Sequence, residues 1–515
     1  MKKTFIIHPF LFAISPIFFL LSNNTEELSF SATLLPSAIV LGFTLLLLLL
    51  FRLIIKDNKK AAVIVSISLF LFFSYGHIYY LTEYWHIGGF SVGKHRYLIP
   101  IYGLIFIFSA YFIIKTSKSL LNFTKILNIM ALSLVITSLV NIGIYEFKTK
   151  TVGQNNNQIT EAGEANTTDL KTASVLPDIY YIILDGYAAS DTLKKIYNYD
   201  NQGFINYLSA KGFYVPSKSR SNYAMTFLSL ASSLNMQYIN YLTDMVGIES
   251  LDGKAAYKMI DDNKIMNFLK SKGYKSLHFS SGWGATDHNQ YADINFKCSG
   301  IENEFITLLL QTTIIYPFTK FFIAHAKRKR VLFTFSRLSE IYKIKGPKFI
   351  FAHIVSPHSP YVFGKNGEPV PDAELKMSGS VSKNRKNYLN QLIFINKKVK
   401  ILVDEILSKS TIPPIIILQA DHGTASTLVN SEDDCWIDNP TNDMLKERMR
   451  IFNAYYFPQG GNDLLYDSIT PVNTFRLIFN LYFNTNYKLL DDLTYFSYYE
   501  IPYKFTDVTD KMKYD

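Results

Sequence analysis

Five apolar runs constrain this chain more than any other feature; they lie near residues 5–22, 33–54, 61–82, 96–114 and 126–145. Each approaches the ~20 residues that an α-helix needs to cross the hydrocarbon core of a bilayer. The first run is not followed by a small-residue cleavage site, and four more come after it, so it reads as a span rather than a removable signal peptide. A transmembrane region of five helices over residues 1–146 is predicted.

The basic residues orient it. Lys2 and Lys3 precede the first run, Arg52, Lys56, Lys59 and Lys60 separate the second from the third, and Lys115, Lys118 and Lys125 separate the fourth from the fifth. The loop from Ser22 to Ser31 has no Lys or Arg, and the loop near residues 83–95 has only Lys94, with Arg96 at its border. Lys and Arg concentrate on the cytoplasmic side of membrane proteins. The N-terminus is therefore expected in the cytoplasm and everything after about residue 146 outside, in a bacterial inner (cell) membrane.

Residues 147–176 are polar, rich in Asn, Thr, Gln, Glu and Ala, and read as a linker. From Pro177 to the end, strand-like runs alternate with helical ones, which implies an α/β fold: a mainly parallel sheet covered by helices on both faces. The expected strands include Phe213–Val215, Ser276–Ser280 and Lys348–His353; helices are expected over about 302–344 and 384–409.

Two strands end in acidic residues. Ile415-Ile-Ile-Leu-Gln-Ala-Asp421-His422-Gly423 is a run of branched apolar residues that stops in a carboxylate, an imidazole and a glycine. Asp178-Ile-Tyr-Tyr-Ile-Ile-Leu-Asp185-Gly186 has the same form more than two hundred residues upstream. Open α/β sheets bind ligands at the carboxyl ends of their strands. Oxygen and nitrogen donors gathered there suit a divalent cation. Taken singly, either motif is also what an ordinary turn at a strand end looks like.

Two further elements carry polar side chains. Ser221-Asn222-Tyr-Ala-Met-Thr226-Phe-Leu-Ser229 is a loop feeding a helix, and a hydroxyl at a helix N-terminus beside a cation is activated while free N–H groups hold phosphoryl oxygens. Thr226 is the best-placed hydroxyl; Ser221 and Ser229 are alternatives, and Thr226 could equally be an N-cap. His353-Ile-Val-Ser-Pro357-His358-Ser-Pro360 follows a strand and aims imidazoles into a site. His353, His358 and Asn222 are assigned here as substrate-binding residues, His353 having the stronger structural alternative.

In this order the four elements resemble the alkaline phosphatase and sulfatase superfamily. Within it the layout is similar to membrane phosphotransferases that make lipoteichoic acid or add phosphoethanolamine or phosphoglycerol to glycans and lipids. The resemblance implies that Asp185, Thr226, Asp421 and His422 bind one divalent metal ion (Zn, Mn or Mg), that Thr226 is the nucleophile of a phospho-threonine intermediate, and that His358 contacts substrate and acts as a catalytic residue that helps the alcohol leave. It implies a lipid donor and an envelope glycan or lipid acceptor. An ester hydrolase using the same site and a non-catalytic envelope scaffold are the alternatives.

Departures narrow the choice. Neither Cys298 nor Cys435 has the Pro-Arg context that formylglycine sulfatases require, and no histidine follows His422, which points to one metal rather than two. The first acidic ligand is Asp185, where the lipoteichoic and phosphoethanolamine enzymes use Glu. With two cysteines the chain is no disulfide scaffold.

The net charge of +10 lies partly on the cytoplasmic loops and partly on Lys327-Arg-Lys-Arg330. Nucleic acid is excluded as a partner for a domain outside the cytoplasm. The aromatic-rich stretch before that cluster, Ile314–His325, reads as an amphipathic segment lying on anionic headgroups, or as a core segment followed by a solvated helix face. Arg448 and Arg450 are expected to make structural pairs.

Overall fold

The computed structural model describes residues 5–25, 30–82, 85–87, 90–154, 176–300, 304–371, 373, 375, 384–430 and 435–513. The chain divides into two compact units: residues 1–158 with 301–321, and residues 159–300 with 322–515.

The first unit is helical: α1 (His8–Ser22), α2 (Leu34–Ile55), α3 (Asn58–Thr82), α4 (His95–Lys115) and α5 (Leu121–Gln154). Among the described residues four helices, rather than the five expected, are long and apolar enough to cross a membrane. The exception is α1. Its 15 residues rise only about 22 Å at 1.5 Å per residue, less than a ~30 Å hydrocarbon core. It buries Ala13, Ile17 and Leu21 in a core shared with Val65, Leu69 and Phe73 of α3. Lys2 and Lys3 lie outside the described residues.

Between α2 and α3 the chain reverses in two residues. Lys56 takes a left-handed conformation (φ 59°) and caps α2 by donating its N–H to Arg52 O, while Asp57 Oδ1 accepts from the amides of Lys59 and Lys60 at the start of α3. Lys60 Nζ donates to the carbonyls of Ile114 (2.8 Å) and Thr116 (2.9 Å) at the end of α4, so the two basic loops share one side of the helices. Outward faces carry Leu46, Leu53, Phe108, Phe112 and Ile129, all exposed. Helix α5 continues through residues 147–154, the first part of the expected linker; residues 155–175 lie outside the described ones.

The second unit holds a six-stranded sheet built from β1 (Ile179–Leu184), β2 (Lys275–Phe279), β3 (Ile294–Phe296), β4 (Lys348–Ile354), β5 (Ile415–Gln419) and β6 (Asn453–Tyr456). The order is β3-β2-β4-β1-β5-β6, parallel throughout except for antiparallel β6. The α/β fold read from the alternating pattern is the one found. The Phe213–Val215 strand is reduced to one bridge, Tyr214 to Tyr455 of β6.

Strand β1 is buried on both faces, which is why it reads as continuous apolar sequence. Tyr180, Ile182 and Leu184 enter one core with Leu392, Ile395 and Val399 of α9 (Arg385–Lys409). Ile179, Tyr181 and Ile183 enter the other, with Leu228 and Leu230 of α6 (Thr226–Asn235) and Phe475 and Phe479 of α11 (Pro471–Phe483). The expected helix over 302–344 is two helices, α7 (Glu304–Gln311) and α8 (Tyr316–Leu338). A final hairpin pairs β7 (Tyr495–Tyr498) with β8 (Ile501–Asp507). Cys298 and Cys435 form no disulfide.

Candidate metal centre

Register assembles the site. Ile183 pairs with His353 on β4 and with Gln419 on β5, so Asp185, the residues after His353, and Asp421 emerge together at the carboxyl ends of the three central strands. Gly186 turns the chain at φ +68°, a conformation that favours glycine. Its N–H donates to Asp421 Oδ1 (3.0 Å), and the amide of His358 donates to Asp185 O (2.9 Å). Gly423 permits a close approach: its N–H donates to Arg448 O (2.7 Å), and a Cβ there would overlap the carbonyl of Glu447.

Thr226 opens α6, whose first turn has no side-chain cap. Its Oγ1 lies 3.0 Å from His422 Nε2. The alternative hydroxyls are used elsewhere: Ser221 Oγ reaches Met449 O, and Ser229 Oγ donates to the Asp421 carbonyl (2.8 Å). Asn222, expected to bind substrate, bonds to backbone of two other segments. Its Nδ2 donates to Leu493 O and its Oδ1 accepts from Val472 N, so the buried amide ties loops together.

Imidazole tautomers are set by carbonyl partners, which can only accept. Nδ1 of His422 donates to Gly423 O (2.9 Å) and Nδ1 of His358 donates to Ser359 O (2.8 Å). In a neutral ring the Nε2 of each then carries a lone pair. Burial pushes His422 down to about 4, so it is neutral near pH 7. Burial opposes ionisation of Asp185, yet His358, His353 and His422 around it hold its carboxyl well below the usual range.

The result is an arrangement of acceptors facing acceptors. His422 Nε2 lies 3.3 Å from Asp421 Oδ2 and 3.7 Å from Asp185 Oδ1, and neither carboxylate oxygen has a hydrogen-bond partner although both are buried. Buried anionic oxygens without donors are costly. A divalent cation resolves the repulsion. Two overlapping donor sets share Asp185: one adds His358 and His422, the other His353 and Asp421, with donor atoms within 4.8 Å of one another. The residues present fit a hard or borderline cation bound by oxygen and imidazole.

His353, expected from the sequence to bind substrate, is buried. Its Nδ1 meets Thr286 Oγ1 (2.8 Å), and its Nε2 is 3.3 Å from Asp185 Oδ2. Thr286 carries no sequence signal; it precedes no strand and matches no motif. The His358 loop is clamped by Gln391 of α9, whose Nε2 donates to His358 O (2.8 Å) and whose Oε1 accepts from Val362 N (2.8 Å).

Glu447 and Arg448, at the end of α10 (Asn442–Met449), brace the centre from behind. Glu447 accepts from Thr424 Oγ1, Ser426 N and both donors of Thr427. Arg448 Nε donates to Ala224 O (2.7 Å) and its Nη1 to Gly423 O (3.1 Å), so one guanidinium holds both the Thr226 loop and the His422 loop. Arg450 pairs with Asp191 (2.5 Å). Both arginines make the structural contacts expected of them.

The Sulfatase family matches residues 177–475, more than half of the chain and the whole of the sheet just described. The chain belongs to the sulfatase family. Solved structures similar to it include the C-terminal periplasmic domain of EptC from Escherichia coli in complex with Zn (13% identity, 64% of this chain and 92% of that one, TM-score 0.43). Another is the integral membrane lipooligosaccharide phosphoethanolamine transferase A from Neisseria meningitidis (10% identity, 92% and 94%, TM-score 0.40). A third is a sulfatase-type protein from Bacteroides fragilis (13% identity, 61% and 75%, TM-score 0.38). No curated protein sequence matches.

Proposed function

We propose that this sulfatase-family protein is a membrane-anchored, metal-dependent phosphotransferase that moves a phospho-alcohol group from a lipid donor to an envelope glycan or lipid. The observation that carries this reading is that Asp185 Oδ1 and Asp421 Oδ2, buried oxygens without hydrogen-bond partners, lie 3.7 and 3.3 Å from His422 Nε2, which in turn meets the hydroxyl of Thr226 at 3.0 Å.

In this reading Asp185, Thr226, Asp421 and His422 hold one divalent cation. The cation supplies Lewis acidity, lowering the pKa of the hydroxyl and offsetting charge on the transferred oxygens. Thr226 Oγ1, its proton lost to solvent beforehand, attacks phosphorus as the alkoxide while the bond to the donor alcohol breaks, leaving a phospho-threonine. The uncapped amides at the start of α6 face the phosphoryl oxygens. His358, fixed by its Nδ1 bond to Ser359 O, acts first as the imidazolium, giving the proton on Nε2 to the departing oxygen, and then as the neutral ring, whose Nε2 accepts one from the acceptor alcohol. With water as acceptor the same residues make a hydrolase.

The arrangement of α2–α5 supports an orientation. The basic loops between α2 and α3 and between α4 and α5 share one side, as Lys60 shows. If that side is cytoplasmic, α5 ends outside, and the centre acts outside the cytoplasm whatever the path of the short α1.

The test is turnover of phospholipids labelled in the acyl chain by the full chain in detergent. Diacylglycerol release that needs an added alcohol, and that is abolished in Thr226→Ala, supports the transferase. Release with water alone supports the hydrolase. No release, with wild-type metal content in Asp421→Asn, overturns both.

A further inference from the structure

Residues 304–321 come late in the sequence yet fold with the membrane helices. Helix α7 buries Phe305 and Leu309 in the core formed by α1 and α3. The chain then turns, and Ile314 packs against Tyr75 of α3 and Leu98 and Tyr102 of α4.

The turn is bonded to the interior of α3. Ile314 N donates to Phe72 O (3.0 Å), and Gly76 N donates to Thr312 O (2.9 Å). At 1.5 Å per residue, Phe72 and Gly76 lie about 15 and about 9 Å inside the Thr82 end of the helix. A 25-residue helix, about 37 Å long, overhangs a ~30 Å core by only a few Å at each end. The turn therefore sits at hydrocarbon depth.

Non-helical backbone survives there only if protein satisfies it. Here it does. Thr312 N and Thr313 N donate to Leu309 O and Leu310 O, the hydroxyls of the same threonines donate to the same two carbonyls at 2.8 and 2.7 Å, and Tyr316 N donates to Thr313 O. Position 76 admits no side chain, because a Cβ there would overlap the carbonyl of Gln311. From Phe305 to Thr319 there is no charged residue, and Phe318 and Phe321 are 66% and 69% exposed. Lys320, whose ammonium lies 5.0 Å from the Tyr316 ring, begins the return to polar sequence that leads to Lys327-Arg-Lys-Arg330.

We propose that residues 304–321 form a re-entrant hairpin, embedded in the leaflet at the Thr82 end of α3, with Phe318 and Phe321 against lipid acyl chains. The segment is held by backbone bonds to α3 and by the absence of a side chain at Gly76. It is deeper than the headgroup-level helix expected from the sequence, and independent of what the metal centre catalyses.

The experiment uses the full chain in vesicles of phosphatidylethanolamine and phosphatidylglycerol, with part of the lipid brominated along its acyl chains. Phe318→Trp is compared with Tyr342→Trp, an exposed position in the other unit, after subtracting the emission of Trp85, Trp283 and Trp436. The expected result for Phe318→Trp is a blue-shifted added emission, quenched by brominated lipid and shielded from aqueous acrylamide, with the added emission of Tyr342→Trp behaving oppositely. Introducing Gly76→Leu into the Phe318→Trp chain should return the introduced indole to acrylamide. Three results would each overturn the proposal: an indole in Phe318→Trp as accessible to acrylamide as the one in Tyr342→Trp, quenching unchanged by Gly76→Leu, or shielding without lipid quenching together with cross-linking between two copies through Phe318→Cys.

Discussion

The backbone amide of Gly186 donates to Asp421 Oδ1 across 3.0 Å, joining the ends of two neighbouring strands and leaving Asp421 Oδ2 aimed at the donor cluster. Gly186→Ala attacks this bond twice. The residue has a positive φ, and a Cβ would stand 3.3 Å from His358 Cδ2. Loss of such an orienting bond costs metal affinity roughly 10–100-fold. Competition with a fluorescent chelator measures it, and wild-type affinity in the variant would contradict the assignment of Asp421 Oδ2 as a ligand.

Metal content separates ligand from nucleophile. Asp421→Asn is expected to lose its bound ion, whereas Thr226→Ala keeps most of it, because three donors remain at Asp185, Asp421 and His422. Elemental analysis of the two proteins, purified identically, gives the comparison. Equal loss in both would mean that Thr226 is needed to build the centre rather than to react there.

Arg448 tests positioning. A lysine at this position cannot bond Ala224 O and Gly423 O together, so the Thr226 and His422 loops are free to drift apart. Displacement of about 1 Å costs on the order of 100-fold in rate. Arg448→Lys should lower kcat far more than it raises KM, with metal content kept; a pure KM effect would assign Arg448 to substrate binding instead.

Glu447 is buried and accepts four donors from residues 424–427. Glu447→Ala leaves those donors without an acceptor, a loss of about 3–5 kcal/mol by analogy with breaking a buried charged network. The urea midpoint read from Trp436 emission should fall, and protease cleavage should begin at that loop.

Acid should weaken the fold through His278. Burial holds this β2 imidazole down to about 4, and its Nε2 donates to Thr286 O (2.9 Å). Unfolded, it takes a proton near 6.5. Between about pH 6.5 and about 4 the unfolded state binds more protons, so stability rises with pH across that window and falls on acidification. His278→Gln should flatten the dependence of the chelator-treated protein's urea midpoint over the same range.

Sequence made the frame of the site legible because it is built from strand ends. A strand buried on both faces must read as apolar, and the residue that ends it must change character, so Asp185, Asp421 and His422 stood out from their local context. Thr226 stood out less, since a hydroxyl at a helix start serves as well for a cap; only its 3.0 Å approach to His422 separates it from Ser221 and Ser229. Asn222 is ambiguous in sequence, because a buried amide that ties loops and one that binds a ligand look the same there. Thr286, Gln391 and Glu447 act through side chains that meet the site only in three dimensions. The short α1 counted as a span because composition does not show where Pro9 starts the helix and Asn23 ends it.

Strand β1 has a consequence for how the protein is made. It is the first strand of the sheet to be synthesised, yet its neighbours begin at Phe349 and Ile415, about 170 and about 240 residues later. At roughly 5–20 residues per second, Ile-Tyr-Tyr-Ile-Ile-Leu waits on the order of ten seconds or more for a partner on either edge. An uncharged, β-prone hexapeptide left unpaired for that long is the kind of segment that seeds aggregation. Folding of this protein therefore depends on whatever shields residues 179–184 until β4 and β5 arrive.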